Sequence, residues 1–330
     1  MQSSRNQFLK ALLNKLNLSS KNGMQIIGDL NFRNAVDTEN GFQFKGNLKK
    51  VSASYTKLKN ILPGILGKNL PSEMQKFGNF NLSGITRVTE NDIDATLNLN
   101  SAIGKIYADL KLTDVTNIDN ATYDGEVEFV DFNLGKFVND TLFGNISFKG
   151  DVNGNGFKLE NINTSIIGKF SKFEFKNYQY QDIVVNGEYA NNLFDGELLV
   201  NDENLKFDFQ GLADLSSKVH EFDFRANIKY ADLNKINLFK RDSISLLKGK
   251  MELDVVGNTF NDILGKAIFT DVFYTNQEKE YEFKEFIVTS SVKDSINNAL
   301  IDFLPPGIYT ASNNTLSVVE IAASTLCSIS

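Results

Sequence analysis

The chain has 330 residues, of which 42% are hydrophobic, and a formal net charge of -7 at pH 7. Acidic and basic residues are interspersed, which argues against a nucleic-acid-binding surface, because such a surface needs a basic stripe. The single cysteine, Cys327, excludes an internal disulfide. No stretch reaches the roughly 20 apolar residues of a membrane-spanning helix.

Residues 1–23 predict a short amphipathic helical segment. Its apolar residues follow the spacing of one helix face: Phe8, Leu9, Leu12, Leu13 and Leu16. Lys10 and Lys15 interrupt the apolar run, and no small-residue cleavage site follows it, so a signal peptide is rejected. We expect this helix to dock on the end of a sheet, and a membrane-surface helix is the alternative.

Residues 24–298 consist mostly of predicted β-strands. In EFDFRANIKYADL (221–233), apolar side chains alternate with polar ones, which predicts a strand with one apolar and one hydrated face. The same pattern recurs along the chain and assigns candidate residues to the lining of an apolar face. These residues are Ile106, Ala108, Leu110, Val127, Phe129, Phe173, Phe175, Phe207, Phe209, Phe222, Phe224, Ile228 and Tyr230.

Glycine-containing pairs predict the turns between these strands. The pairs are Asn40-Gly41, Asp124-Gly125, Asn153-Gly154, Asn155-Gly156, Asn186-Gly187 and Asp195-Gly196. The segment VVNGEYANNLFDGELLV (184–200) predicts a hairpin with a short Asn-rich loop. Short helical segments are predicted at 56–66, 72–77, 134–140 and 231–239.

Two sequence tags recur in the same order, which predicts an array of similar β-units. FGNFNLSG (77–84) matches FGNISFKG (143–150), and LKGKMELDVVG (247–257) is a looser copy. The second tag occurs as NSAIGKI (100–106), NTSIIGKF (163–170) and DILGKA (262–267). Each copy is expected to comprise a helical turn, a strand, a turn and a strand. Since open sheets rarely exceed about ten strands without curling, we predict a mainly β fold, an elongated antiparallel sheet curled into a groove.

No convincing arrangement of catalytic or metal-binding residues is present. His220, the only histidine, precedes a predicted strand and is expected to be an exposed loop residue. DVNGNGFKLEN (151–161) has Asp and Asn at alternate positions, but Ile162 stands where a calcium-binding loop has glutamate, so we predict a β-turn. The prediction is a non-enzymatic protein without metal or cofactor.

The apolar face has two interpretations at this stage. It forms either the core of a closed sandwich or the lining of a groove that binds acyl chains. Burial of each CH₂ contributes about 0.8 kcal/mol, so a chain of a dozen or more carbons would bind such a groove firmly. Periodicity alone does not separate the two interpretations.

Several segments resemble the TamB group of the AsmA-like family from Bacteroidota. They include LPSEMQKFGNFNLSG (70–84), GELLVNDENLKFDFQGLADLS (196–216), FDFRANIKYADLNKINLFKRDSISLLKG (222–249) and VVGNTFNDILGKA (255–267). The resemblance covers roughly residues 5–295, and the segment 196–216 is its most specific part. It implies a groove-shaped sheet (a β-taco), an inner-membrane anchor, a periplasmic location and phospholipid transport toward the outer membrane, without catalytic residues.

The chain departs from that family at both ends. It has neither the N-terminal membrane anchor nor a recognisable C-terminal domain, so we expect an internal fragment with a divergent tail at 299–330. The expected partners are phospholipid acyl chains and, through parts missing here, an outer-membrane assembly-type barrel, but no nucleic acid. The alternative function is that of a structural or adhesive β-repeat protein with a closed core.

Overall fold

The structure is a computed structural model that describes residues 10–21, 23–34, 41–61, 70–158, 161–216, 218–258, 263–293 and 296–302. β-Strands account for 69% of the structure. The strands are β1 (Lys10–Ser19), β2 (Gln25–Arg33), β3 (Gln43–Ser54), β4 (Asn79–Val88), β5 (Asp92–Ser101), β6 (Gly104–Thr113), β7 (Thr122–Asn133), β8 (Phe143–Asn155), β9 (Asn163–Phe175), β10 (Tyr178–Tyr180), β11 (Ile183–Ala190), β12 (Leu193–Asn201), β13 (Leu205–Asp214), β14 (Glu221–Asp232), β15 (Ser245–Val256), β16 (Leu264–Asn276), β17 (Glu280–Lys293) and β18 (Ile296–Asp302). The helices are α1 (Tyr55–Ile61), α2 (Leu134–Val138) and the 3₁₀ helices Ser72–Phe77 and Val115–Asn120.

The strands belong to one open antiparallel sheet in which consecutive strands pair. Strands β10 and β11 both pair with β9 and are two parts of one strand, interrupted at Gln181 and Asp182. The predicted mainly β fold is confirmed, and an open sheet is consistent with a groove. The chain comprises two compact units, unit 1 (Met1–Gly168) and unit 2 (Lys169–Ser330).

Each unit has its own apolar core on one face of its strands. In unit 1 the largest buried cluster joins β2, β3, β4, β5 and α1 around Met24, Val51 and Phe80. In unit 2 one cluster surrounds Phe222 and Leu253 on β14 and β15, and another surrounds Tyr180 and Tyr274. Burial of these side chains supplies most of the driving force for folding.

β-Bulges interrupt the strand pairing at several places. Pairing shifts by one residue between Leu13 and Leu16 in β1, Leu48 and Val51 in β3, Phe129 and Phe132 in β7, and Ile228 and Ala231 in β14. A bulge inserts one extra residue and so returns two residues three positions apart to the same face. These strands therefore show an apolar i, i+3 spacing that also occurs in helices.

The predicted N-terminal helix is wrong within the described residues. Lys10–Ser19 is strand β1, and Leu13 pairs with Leu30 while Leu16 pairs with Gly28. The bulge between Leu13 and Leu16 produces the spacing that we interpreted as one face of a helix. Residues 1–9 and 22 lie outside the described part of the chain.

Most of the predicted short helices are present, but one is not. The segments near 56–66, 72–77 and 134–140 contain α1, a 3₁₀ helix and α2. The segment 231–239 finishes β14 and continues as hydrogen-bonded turns. The Asp232 side chain accepts a hydrogen bond from the Lys235 backbone N–H, which favours a local turn over a continuing helix.

Four of the six predicted glycine turns instead lie inside strands. Asp124-Gly125, Asn153-Gly154, Asn186-Gly187 and Asp195-Gly196 belong to β7, β8, β11 and β12. Gly196 pairs with Gly187 on one side and Gly211 on the other. A Cβ atom on Gly187 would lie 2.9 Å from the Phe194 ring, so this glycine leaves room for an aromatic ring above the sheet.

The 184–200 hairpin is confirmed, because β11 and β12 pair from Ile183 to Ala190. Its turn residues Asn191 and Asn192 have φ values of 52° and 65°, as a tight hairpin turn requires.

The predicted repeat is only partly equivalent in structure. Tags 77–84 and 143–150 both lead into a strand, β4 or β8, directly after a helical segment. The second tag lies at β9 (163–170), the strand after β8, and at β16 (262–267), the strand after β15. Its first copy, 100–106, lies at the turn between β5 and β6, which is one strand further from β4. Strand β18 runs past the predicted boundary at 298 to Asp302, and residues 303–330 lie outside the described part.

Candidate apolar binding face

The apolar face of unit 1 carries all five lining residues predicted there. Cross-strand pairs join Ile106 to Phe129, Ala108 to Val127, and Leu110 to Gly125. Val127 is buried, and the other four side chains are partly accessible. The five residues therefore share one face of β6 and β7, and their role in lining a groove stays a prediction.

In unit 2, four predicted phenylalanines form an aromatic cluster on the apolar face of β13 and β14. The ring centroid of Phe209 lies 5.0 Å from that of Phe224 and 6.3 Å from that of Phe207. Phe222 and Phe224 meet edge-on at 6.4 Å. These separations suit favourable ring contacts. Phe222 and Phe224 are 4% and 8% exposed, whereas Phe207 and Phe209 are less deeply buried.

Three further predicted residues lie outside this aromatic cluster: Phe173 and Phe175 on β9, and Ile228 on β14. They pack against a buried cluster that contains Tyr180 and Tyr274. Phe173 pairs directly with Tyr180. The structure thus assigns the predicted residues of unit 2 to two neighbouring apolar clusters.

Tyr230 is an exception, and its predicted place on the apolar face is wrong. Tyr230 pairs with Lys206 on β13. The two neighbours of Lys206 are apolar: Leu205 pairs with Ala231, and Phe207 pairs with Ile228. Tyr230 therefore shares the face of Lys206. The bulge after Ile228 shifts the alternation by one residue, so Ala231 takes the apolar position.

Helical segments cover part of the apolar face in unit 1. Leu58 of α1 is buried in the core cluster of β2–β5, and Met74 and Phe77 of the first 3₁₀ helix pack against the same cluster. Val115 and Ile118 of the second 3₁₀ helix are buried against β6 and β7. Part of this face is therefore a conventional protein core.

Asp119 joins the two 3₁₀ helices. Its Oδ1 accepts hydrogen bonds from the backbone N–H of Ser72 at 2.9 Å and from the Ser72 hydroxyl at 3.0 Å. Lys158 Nζ lies 3.2 Å from Oδ2. Burial alone would raise the pKa of this carboxyl, but the hydrogen bonds from Ser72 and the contact with Lys158 lower the pKa below its ordinary value.

We expect Asp119→Asn to lower the free energy of unfolding of unit 1 at pH 7 by about 1–2 kcal/mol, because charge-assisted hydrogen bonds are lost. The ionised carboxylate stabilises the fold above its ordinary pKa, and this contribution disappears as the pH falls through the lowered pKa. Urea unfolding at pH 7 and pH 3 measures the difference. Asp94→Asn, an exposed site on β5, is the control, and an Asp119 effect that persists undiminished at low pH would contradict the assignment.

In unit 2 the segment between β14 and β15 covers part of the apolar face. Leu233 and Ile236 are buried against Tyr180 and Tyr274, and the Tyr180 hydroxyl donates to the Ile236 carbonyl at 3.4 Å. The Asn237 side chain donates to the Lys176 carbonyl at 2.9 Å. This end of the face is closed by the chain itself.

Two tyrosine–aspartate pairs satisfy the buried polar groups at this end. The Tyr274 hydroxyl donates to Asp242 Oδ2 at 2.5 Å and lies 3.2 Å from Ser245 Oγ. The Tyr178 hydroxyl donates to Asp202 Oδ1, also at 2.5 Å. Burial, with a further contribution from the adjacent carboxylate, raises the pKa of each tyrosine to about 12. The two hydroxyls therefore remain protonated donors at neutral pH. The tyrosine–aspartate pairs hold the segments at this end of the face together.

Metal-ligating side chains are not clustered in the described part of the chain. There, no three His, Cys, Asp or Glu side chains are grouped so as to hold a metal ion. His220 is half-buried rather than exposed, because its ring packs edge-on against Phe222 and its backbone N–H donates to Asn258. No helix among the described residues is long and apolar enough to cross a bilayer.

Sequence reasoning missed several residues of the apolar face. Phe80, Phe132, Phe269 and Phe286 are buried there. Phe269 and Phe286 stack with ring centroids 4.5 Å apart. The i, i+3 spacing of Phe129 and Phe132 was the available signal, because the bulge between them returns both to one face.

Comparisons with known proteins leave the chain without an assigned family. No family model, curated protein or solved structure matches it. The resemblance to TamB proteins therefore stays a prediction.

Proposed function

We propose that the apolar face of unit 2 binds the acyl chains of phospholipids and that the protein is a non-enzymatic lipid conduit of the cell envelope. In this proposal it carries phospholipid between the inner and outer membranes and supports outer-membrane assembly, as its likeness to TamB proteins implies. Lipid would move along the face by diffusion, without a covalent step.

The aromatic cluster of unit 2 is the observation that carries this proposal. Phe207 and Phe209 stand on the apolar face and retain solvent access, beside the buried Phe222 and Phe224. All described strands belong to one open sheet. An acyl chain lying on this surface would gain about 0.8 kcal/mol for each buried CH₂.

A structural β-repeat protein with a closed core is the second candidate function. Unit 1 favours it, because Leu58, Val115 and Ile118 cover part of the apolar face with the chain's own helices. This alternative predicts that the folded protein binds no lipid. The two functions therefore differ in one measurable property.

Site-specific photo-crosslinking tests the proposal. A photoreactive phenylalanine analogue replaces Phe209 in one protein and Gln210, the exposed neighbour on the opposite face, in another. Both proteins, each comprising residues 1–330, are produced in bacteria, irradiated in the cells and analysed by mass spectrometry. We expect phospholipid adducts at position 209 but not at position 210.

Phospholipid that co-purifies with the protein provides a second readout. Phe209→Asp should remove it, because a carboxylate on the apolar face opposes acyl burial, whereas Gln210→Asp should retain it. Circular dichroism checks that both variants fold. A folded wild-type protein with neither adduct nor co-purifying phospholipid would contradict the lipid proposal and favour the closed-core alternative.

A further inference from the structure

The polar face of unit 1, opposite its apolar face, contains a concavity of about 550 Å³. Its lining combines lysine and asparagine side chains from β3 to β6 with apolar groups of residues such as Leu82, Leu99 and Val130. The lysines and asparagines are Lys49, Lys50, Asn81, Asn98, Asn100 and Lys105. The proposed lipid function does not use this surface.

The bulge in β3 explains why two consecutive lysines contribute to the same concavity. In a regular strand Lys49 and Lys50 would point to opposite faces. Here Leu48 pairs with Gly84 and Val51 with Leu82, so both apolar neighbours lie on the apolar face. The extra residue between them lets both lysines border the polar concavity.

Neutral polar side chains line the strands between the lysines. Asn100 pairs with Asn81 on one side and Lys105 on the other. In the next row Asn98 pairs with Tyr107. Amide and phenol groups supply both hydrogen-bond donors and acceptors without adding charge.

The three lysines of this concavity make no direct ion pair within the described part of the chain. Lysines on other strands do have partners, as Lys229 of unit 2 does with Asp208 at 2.7 Å. Glu128 is the acidic residue in the lining, and it shares Lys149, at 3.7 Å, with Glu126, at 3.3 Å. Three lysines against one carboxylate give this concave surface a net positive charge, although the whole chain is acidic.

We propose that this concavity binds a phosphate-bearing ligand. Lysine ammonium groups act as compact point charges for phosphate oxygens, and the asparagine amides suit the hydroxyl groups of a glycerol or sugar moiety. The same chemistry occurs in a soluble phosphate ester and in the head group of an anionic phospholipid. The test distinguishes these two sources.

The experiment uses the full chain and two probes. Isothermal titration calorimetry measures glycerol 3-phosphate, and flotation measures vesicles of phosphatidylglycerol against vesicles of phosphatidylcholine. The test variant combines Lys49→Gln, Lys50→Gln and Lys105→Gln. The control combines Lys111→Gln, Lys206→Gln and Lys266→Gln at exposed positions, and it changes the net charge equally. Circular dichroism confirms that both variants fold.

We expect wild-type binding to at least one probe. The test variant should bind at least about tenfold more weakly, since one lost charge-assisted hydrogen bond suffices for that change. The control should stay within about twofold, as expected for charges outside the concavity. Binding of glycerol 3-phosphate supports a soluble ester as ligand, and binding of phosphatidylglycerol vesicles alone supports a lipid head group. Absence of binding to both probes, or equal weakening in both variants, would overturn the proposal.

Discussion

Replacement of Phe80 with alanine is expected to lower the free energy of unfolding of unit 1 by about 3–5 kcal/mol. Phe80 is 2% exposed and belongs to the buried cluster that joins β2, β3, β4, β5 and α1. Truncation removes the transfer free energy of the ring and leaves a cavity among Met24, Val51 and Leu99. The cavity cannot close, because β4 is held by backbone pairing with β3 on one side and β5 on the other.

Chemical denaturation followed by circular dichroism measures this loss. Phe273→Ala is the matched control, because Phe273 is 40% exposed on β16 and the same atoms are removed there. Its expected cost is below about 1 kcal/mol, typical of surface substitutions. Equal losses in the two variants would show that β4 does not anchor the core as described.

Gly125→Ala is expected to destabilise unit 1 by about 2–5 kcal/mol, from backbone strain and steric overlap together. Gly125 lies inside β7 with a φ of 143°, a conformation that side-chain-bearing residues rarely adopt. A Cβ atom there would lie 2.0 Å from the carbonyl oxygen of Asp109 on β6. Relief of this overlap requires the two strands to separate where Leu110 pairs with Gly125.

Gly23→Ala separates the two contributions to that effect. Gly23 also has a positive φ, 78°, but a Cβ atom there meets no neighbour within 4 Å. Its substitution should cost about 1 kcal/mol, from backbone strain alone. Urea denaturation of both variants gives the comparison, and a Gly125 effect no greater than the Gly23 effect would rule out the predicted overlap.

Alternation of apolar and polar residues predicted most of the candidate face. In β6, β9, β13 and the parts of β7 and β14 outside their bulges, alternate side chains point to the same face. Twelve of the thirteen predicted lining residues lie on the apolar face for this reason. The thirteenth, Tyr230, fails because the alternation shifts at the bulge after Ile228.

Local signals failed where two structures share one sequence pattern. The spacing of Leu13 and Leu16 suits one face of a helix and equally a bulged strand. The backbone of Lys10–Ser19 forms a strand because it pairs with β2. The residues of β2 lie outside the segment in which the apolar spacing is read. In the same way Asp124-Gly125 is a turn signal, yet the close approach of β6 makes it part of a strand.

Short-range periodicity was enough to predict the mainly β class, the antiparallel strands and the side of each regular strand that is apolar. The bulge positions, the burial of Val115 and Ile236 over the apolar face, and the concavity bordered by Lys49 and Lys105 became visible only in the folded chain. Those features depend on register and on contacts between residues distant in the chain, which local periodicity does not encode.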